Sequence, residues 1–174
     1  NTTSVFDPAT LSFSAGPNVT GNVGAGAHSF SAGNGKHVVI LAGGSSAATS
    51  VYDMATNTFS VGPNLTAVAG AGSKSFMITG GAEAGKFITI HGAVQNATSI
   101  YNPADNTYAT GPVLPATASA GTNLIRVSTG AASGKLLLMH GNSTTASLYD
   151  DAANTFTAVG SAATSNTNNG AFTF

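Results

Sequence analysis

The chain has no cysteine and no tryptophan. Without cysteine there is no disulfide, no thiolate metal site and no cysteine nucleophile. Charge is almost as scarce: 6% of residues are charged, against roughly 25% in an average soluble domain. With Lys+Arg 5, Asp+Glu 6 and a net charge of -1, no basic patch can form, which excludes nucleic acid as a partner. No polybasic or amphipathic helical segment points to a membrane surface, and no run of eighteen apolar residues spans one. Periodicity of 3.6 residues is missing throughout. Residue 1 is Asn and no signal peptide is visible, so we expect either a processed chain or a segment of a longer one.

What is present is a repeat. Ser4-Val5-Phe6-Asp7 runs to Gly16-Pro17, Ser50-Val51-Tyr52-Asp53 to Gly62-Pro63, and Ser99-Ile100-Tyr101-Asn102 to Gly111-Pro112. A fourth copy, Ser147-Leu148-Tyr149-Asp150, ends at Val159-Gly160 without the proline. The aromatic pairs Phe6/Phe13, Tyr52/Phe59, Tyr101/Tyr108 and Tyr149/Phe156 step by 46, 49 and 48 residues, always 7 apart within a pair. A fixed period of this size means one supersecondary unit stacked on copies of itself. Hydrophobic residues make up 42% of the 174 and mean hydropathy is +0.18, enough for a packed core.

Each unit divides into four short strands. In the first full unit these are Gly26–Ala32, Lys36–Ala42, Ala48–Tyr52 and Thr58–Val61. Gly33-Asn34-Gly35, Gly43-Gly44, Asp53–Asn57 and Gly62-Pro63 supply the turns between and after them. The second strand is a continuous apolar run, as in a strand buried on both faces. Later units match at Gly72–Phe76 and Gly85–Gly92, then at Gly121–Ile125 and Gly134–Gly141. The domain is therefore all-β. Residues 1–17 are strands three and four of one blade, 18–63, 64–112 and 113–160 are complete blades, and 161–174 hold the first strand of another, at Gly170–Phe174. The open ladder groups of such partial blades lead us to expect a larger ring, or another subunit that completes them.

These residues resemble kelch repeats. Leu41-Ala42-Gly43-Gly44, Val51-Tyr52-Asp53, Thr56-Asn57-Thr58-Phe59 and Gly62-Pro63 stand in the family's order, and the resemblance spans the chain. It implies four-stranded antiparallel blades of a β-propeller, as in secreted bacterial and fungal versions. Two departures are clear. The family's tryptophan on the last strand is Phe13, Phe59, Tyr108 or Phe156 here, and the Gly-Gly pair becomes His91-Gly92 and His140-Gly141. The copper oxidases built on this propeller use a tyrosine cross-linked to cysteine, which a chain without cysteine cannot form.

Candidate chemistry is thin. His91 and His140 sit 49 apart at matching positions, where the first unit has Ala42. They are the metal candidates, but zinc takes three or four converging ligands, and each also fits as a strand-end residue bonded to backbone. Asp7, Asp53, Asn102 and Asp150 recur at turn starts, which marks them as turn caps rather than paired catalytic acids. Glu83 and Asp105 stand alone on turns. Gly70-Ala71-Gly72-Ser73-Lys74-Ser75 has the wrong spacing for a phosphate loop. No Gly-x-Ser-x-Gly elbow is present. The repeated aromatics pack between blades, so Phe59→Ala is expected to cost about 3–5 kcal/mol.

No cofactor and no enzymatic activity are expected. The expected role is an extracellular or cell-surface binding or structural module, with a protein partner or a homo-oligomer completing the terminal blades. A carbohydrate-binding module using loop residues Asn34, Gln95 and Asn142 is the alternative, and the non-catalytic part of a larger secreted enzyme is another. Low charge, abundant Ser, Thr and Asn, and five sequons at Asn1, Asn18, Asn64, Asn96 and Asn142 fit secretion.

Overall fold

The computed structural model describes residues 1–42 and 46–161. The Gly43-Gly44 turn and the strand expected at Gly170–Phe174 lie outside the described residues. No helix forms among the described residues, and none is long and apolar enough to cross a membrane.

Among the described residues, fourteen strands form four antiparallel sheets in chain order. β1 (Ser4–Asp7) and β2 (Ser12–Ala15) make a two-stranded sheet. β3 (Val23–Gly33), β4 (Lys36–Ala42), β5 (Thr49–Asp53) and β6 (Thr58–Val61) make the first four-stranded sheet. β7 (Lys74–Met77), β8 (Phe87–Ile90), β9 (Thr98–Asn102) and β10 (Thr107–Thr110) make the second. β11 (Asn123–Arg126), β12 (Leu136–Met139), β13 (Thr145–Asp150) and β14 (Thr155–Ser161) make the third. Each is a simple meander, as in a propeller blade, and the sheets do not close into a ring.

Local chemistry sets the strand ends. Asn34 and Gly35 both have positive φ (51° and 70°) between paired Gly33 and Lys36, the geometry of a two-residue type I′ hairpin. At the third-to-fourth-strand turns, a side-chain oxygen of Asp7, Asp53, Asn102 and Asp150 accepts from the N–H two residues on, at 2.9, 2.9, 3.2 and 3.0 Å. The acceptor matters and the charge does not, since Asn102 does the same work. Later in these turns Asn57, Asn106 and Asn154 take positive φ and accept a hydrogen bond at 2.8 Å from Tyr52, Tyr101 and Tyr149. In the first copy the tyrosine is Phe6 and the asparagine is Leu11, which still holds φ 52°. Donor and acceptor are lost together.

The expected first strands shift. β3 is longer than Gly26–Ala32 and carries register irregularities. β7 and β11 begin two residues after Gly72 and Gly121. Both glycines have positive φ, 85° and 87°. A Cβ on Gly72 would lie 1.8 Å from the Ser119 carbonyl oxygen of the next sheet, and one on Gly26 (φ 89°) 1.9 Å from that of Gly70. Backbone meets backbone there, so only glycine fits.

Three apolar clusters fill the spaces between sheets. Val38, Ile40 and Val51 of the first sheet pack with Phe87 and Tyr101 of the second. Ile88 and Ile100 of the second pack with Leu136 and Tyr149 of the third, and Ile90 with Leu138. The repeated aromatics stack across strands within their own sheet, with ring centroids 4.8–5.1 Å apart. Tyr101 and Tyr149 of these pairs also face the preceding sheet, whose first strand supplies a ring to meet each of them. Phe30 stacks on Phe87 at 4.5 Å and meets the edge of Tyr101 at 5.7 Å, and Phe76 meets Tyr149 at 5.3 Å. Phe59 is only half-buried, so its removal costs less than the 3–5 kcal/mol expected for a core aromatic.

Candidate functional site

A buried serine recurs on the third strand at Ser50, Ser99 and Ser147. A polar side chain in this position must find a partner or lose about 1–3 kcal/mol. Ser50 is bonded by the N–H and hydroxyl of Thr20, in the loop that leads into its sheet. Ser99 is bonded likewise by Thr66, at 3.0 and 2.7 Å, and also by His91 Nε2 at 2.7 Å. In the third sheet the loop residue is Pro115, which offers neither donor, and His140 Nε2 contacts Ser147 at 2.7 Å.

Strand pairing also corrects the sequence alignment. His91, His140 and Leu41 each donate their N–H to the residue before the third strand or at its start (Ala97, Thr145 and Ala48). The residue matching the histidines is therefore Leu41, not Ala42, and Ala42 with φ 49° matches Gly92 with φ 65°. Both histidines are fully buried. Burial pushes the His91 pKa down to about 4 and lowers that of His140. Each is turned onto its own sheet's serine, and among the described residues no three His, Cys, Asp or Glu side chains gather to hold a metal. Ser99 and Ser147 are as buried as their histidines, so solvent reaches neither pair.

A second polar chain joins two sheets. His28 donates from Nδ1 to the Gly26 carbonyl at 2.9 Å and lies 2.7 Å from Ser75 Oγ, which lies 2.8 Å from Thr89 Oγ1. Burial lowers the His28 pKa too.

The two ends of the sheets differ in charge. One end, the turn end, carries the connections between first and second and between third and fourth strands. The other, the connecting end, carries the loops between second and third strands and those that lead from sheet to sheet. Of the charged residues, Asp7, Lys36, Asp53, Glu83, Lys86, Asp105, Arg126, Lys135, Asp150 and Asp151 all lie at the turn end, and Lys74 alone starts a first strand at the connecting end. Each cation at the turn end pairs with an acid. Lys36 pairs with Asp53 at 3.6 Å and Lys135 with Asp150 at 3.0 Å. Where the acid is Asn102, the matching Lys86 turns to Glu83 at 2.7 Å.

Arg126 and Asp151 were not singled out by sequence. Asp151 is 9% exposed and accepts from both the Thr79 N–H, at 2.8 Å, and the Thr79 hydroxyl of the neighbouring sheet. Arg126 Nη1 reaches both its oxygens at 3.0 Å. Burial alone would raise the Asp151 pKa, and the bonds from Thr79 and Arg126 outweigh it and lower it. Asp151 occupies the position of Pro103, so nothing in the repeat announced it.

The loop candidates do not converge. Asn34 is on the β3–β4 turn, at the turn end, where it lines a surface cleft with Tyr101 and Asn106. Gln95 and Asn142 are on second-to-third-strand loops at the connecting end. Gln95 donates to the Val68 carbonyl at 3.2 Å, and its backbone bridges to Ala118.

An exposed aromatic pair belongs to the two-stranded sheet. Tyr101 and Tyr149 are 3% and 0% exposed beneath Phe30 and Phe76, whereas the matching Phe6 and its partner Phe13 are 47% and 73% exposed. Behind them, Thr3, Val5 and Pro17 face Tyr52 and Phe59 across an open cleft of about 280 Å³. In comparisons with known proteins, no family model matches this chain, and no curated protein is similar to it.

Proposed function

We propose that the chain is a kelch-like propeller segment that acts as an extracellular or cell-surface binding or structural module, and that it assembles through the aromatic face of its two-stranded sheet. One observation carries this reading: the Phe6/Phe13 pair is exposed where the matching Tyr101 and Tyr149 are covered by a first-strand ring. Fully burying one such side chain contributes about 1.5–3 kcal/mol. The surface that fits is another four-stranded sheet presenting an apolar first strand, and a second copy of this chain supplies one. The interior contacts are heterologous, forward face to backward face, so copies joined this way build a ring or a filament.

Sedimentation equilibrium tests the reading. The wild-type chain is expected to associate with increasing concentration, and Phe6→Ser with Phe13→Ser to remain a monomer with an unchanged β-sheet spectrum. A wild-type chain that stays monomeric at high concentration overturns it.

Carbohydrate binding is the second reading. The near-absence of charge at the connecting end favours it, because a neutral sugar is met there by hydroxyl and amide groups. A glycan array on which no sugar binds would remove it.

A further inference from the structure

The sequons are the one sequence motif that neither the core nor the assembly face absorbs. We propose that the connecting end of the sheets is a glycan-bearing surface, with N-linked oligosaccharide on Asn18, Asn64, Asn96 and Asn142. Asn18 and Asn64 lie in the loops between sheets, and Asn96 and Asn142 in the loops between second and third strands. All four are therefore at one end, and all four are exposed. Asn1, which precedes β1, belongs to the same end, but its amide is held by the Val19 carbonyl at 3.3 Å.

The fold accounts for the threonines of these sequons but not for three of the asparagines. Thr20 and Thr66 bond the buried serines, and Thr98 donates to the Pro112 carbonyl at 2.7 Å. The side-chain amides of Asn18, Asn64 and Asn96, two residues earlier, make no hydrogen bond with any described residue and have no packing role that would select them. Asn142 differs in that its φ of 57° favours asparagine on backbone grounds alone. The turn end has the opposite pattern. Asn57, Asn106 and Asn154 accept the tyrosine bonds, and two residues after each stands an aromatic of the stacked pairs (Phe59, Tyr108, Phe156). Asn34 precedes Gly-Lys and Asn102 precedes proline, so no asparagine in the turns of that end is an acceptor.

The chemistry requires a glycosyl donor, an oligosaccharide on a lipid diphosphate. Asn Nδ2 forms a bond to the reducing-end C1 and gives up one proton. The C1–O bond breaks, and its electron pair leaves with the diphosphate. The Ser or Thr two residues on is part of the acceptor signal, and it is free to serve before the chain folds. Glycans would also solvate an end that carries only Lys74 as a charge, where exposed polar groups alone give little protection against association.

This proposal rests on the extracellular reading above. The test is the protein isolated from the cells that make it and from their medium, treated with a peptide N-glycosidase and mapped by mass spectrometry. Each asparagine that carried a glycan is then read as aspartate. The expected result is conversion at Asn18, Asn64, Asn96 and Asn142, none at Asn34, Asn57, Asn102, Asn106 or Asn154, and lower solubility of the stripped protein. Protein found outside the cell with all four asparagines unconverted overturns the glycan assignment and leaves the extracellular reading standing. Protein found only inside overturns both. Asn→Gln at Asn18, Asn64 and Asn96 keeps the test independent of folding, since it removes those glycans while leaving every described hydrogen bond in place.

Discussion

The buried histidines make a prediction about acid. His91 is fully buried, its Nε2 lies 2.7 Å from Ser99 Oγ, and its Nδ1 has no partner among the described residues. Protonation would place a charge on a ring shut away from water, and burial therefore takes the pKa from 6.5 to about 4. The unfolded chain protonates near 6.5 and the folded chain near 4. Between those values the unfolded state binds the extra proton, so the stability held above pH 6.5 is lost as pH falls. For this one group the loss is about 2 kcal/mol by pH 5 and roughly 3 kcal/mol below pH 4. His28 and His140, also lowered by burial, act in the same direction. The perturbation is His91→Leu, which copies Leu41 of the first sheet, where Thr20 bonds Ser50 without help. Ser99 keeps Thr66, so at pH 7 the variant should lie within about 1 kcal/mol of wild type. Urea unfolding of both proteins at pH 7, 6 and 5 measures the difference. Wild type should lose about 2 kcal/mol more than the variant between pH 7 and 5. Parallel pH dependences, or a His91 ring proton that titrates near 6.5 by NMR, would refute the reasoning.

Two further predictions concern packing. Gly72 and Gly85 share nearly the same φ, 85° and 84°, but a Cβ on Gly72 meets a backbone oxygen while one on Gly85 meets nothing within 4 Å. Gly85→Ala should cost only the backbone strain, about 1 kcal/mol, and Gly72→Ala well over 3 kcal/mol or the fold itself, as read by thermal melts followed by circular dichroism; equal losses would mean the sheets do not approach as described. Tyr149→Ala should cost roughly 3–5 kcal/mol because Tyr149 is fully buried beside Phe76 and Phe156, and half-buried Phe59→Ala clearly less by the same urea assay; the reverse order would place the core elsewhere.

The meander was legible because turn chemistry is local. The Asp-to-Asn turns, the Asn34-Gly35 hairpin and the limits Thr58–Val61 all follow from residues within reach of one another. The first strands were harder to bound. Their small residues are there because the neighbouring sheet's backbone presses on Gly26 and Gly72, and no pattern along the strand records that. The first-strand rings that meet Tyr101 and Tyr149 between sheets were not picked out, for a related reason. Periodicity marks Tyr52 and Phe59 in every copy, while Phe30 and Phe76 give way to Ile125 in the third sheet. The Asp151 cluster joins Thr79, Arg126 and Asp151, residues 72 and 25 apart from the acid, and only the packing of two sheets brings them together.

The repeat varies in coupled sets, and that coupling ties its polar side chains to bonding within the fold. Tyrosine and its turn asparagine are replaced together by Phe6 and Leu11. Thr3, Thr49 and Thr98 each donate to the carbonyl of the proline after the turn glycine, at 2.7 Å, and where that proline is Ser161 the threonine is Ala146. The buried serine is served by threonine, by threonine and histidine, or by histidine beside a proline. In the first two sets donor and acceptor residues go together, and in the third the bond persists while the residue that supplies it changes. The sequence freedom this leaves falls on exposed loop positions whose side chains bond to no described residue, Asn18, Asn64 and Asn96 among them.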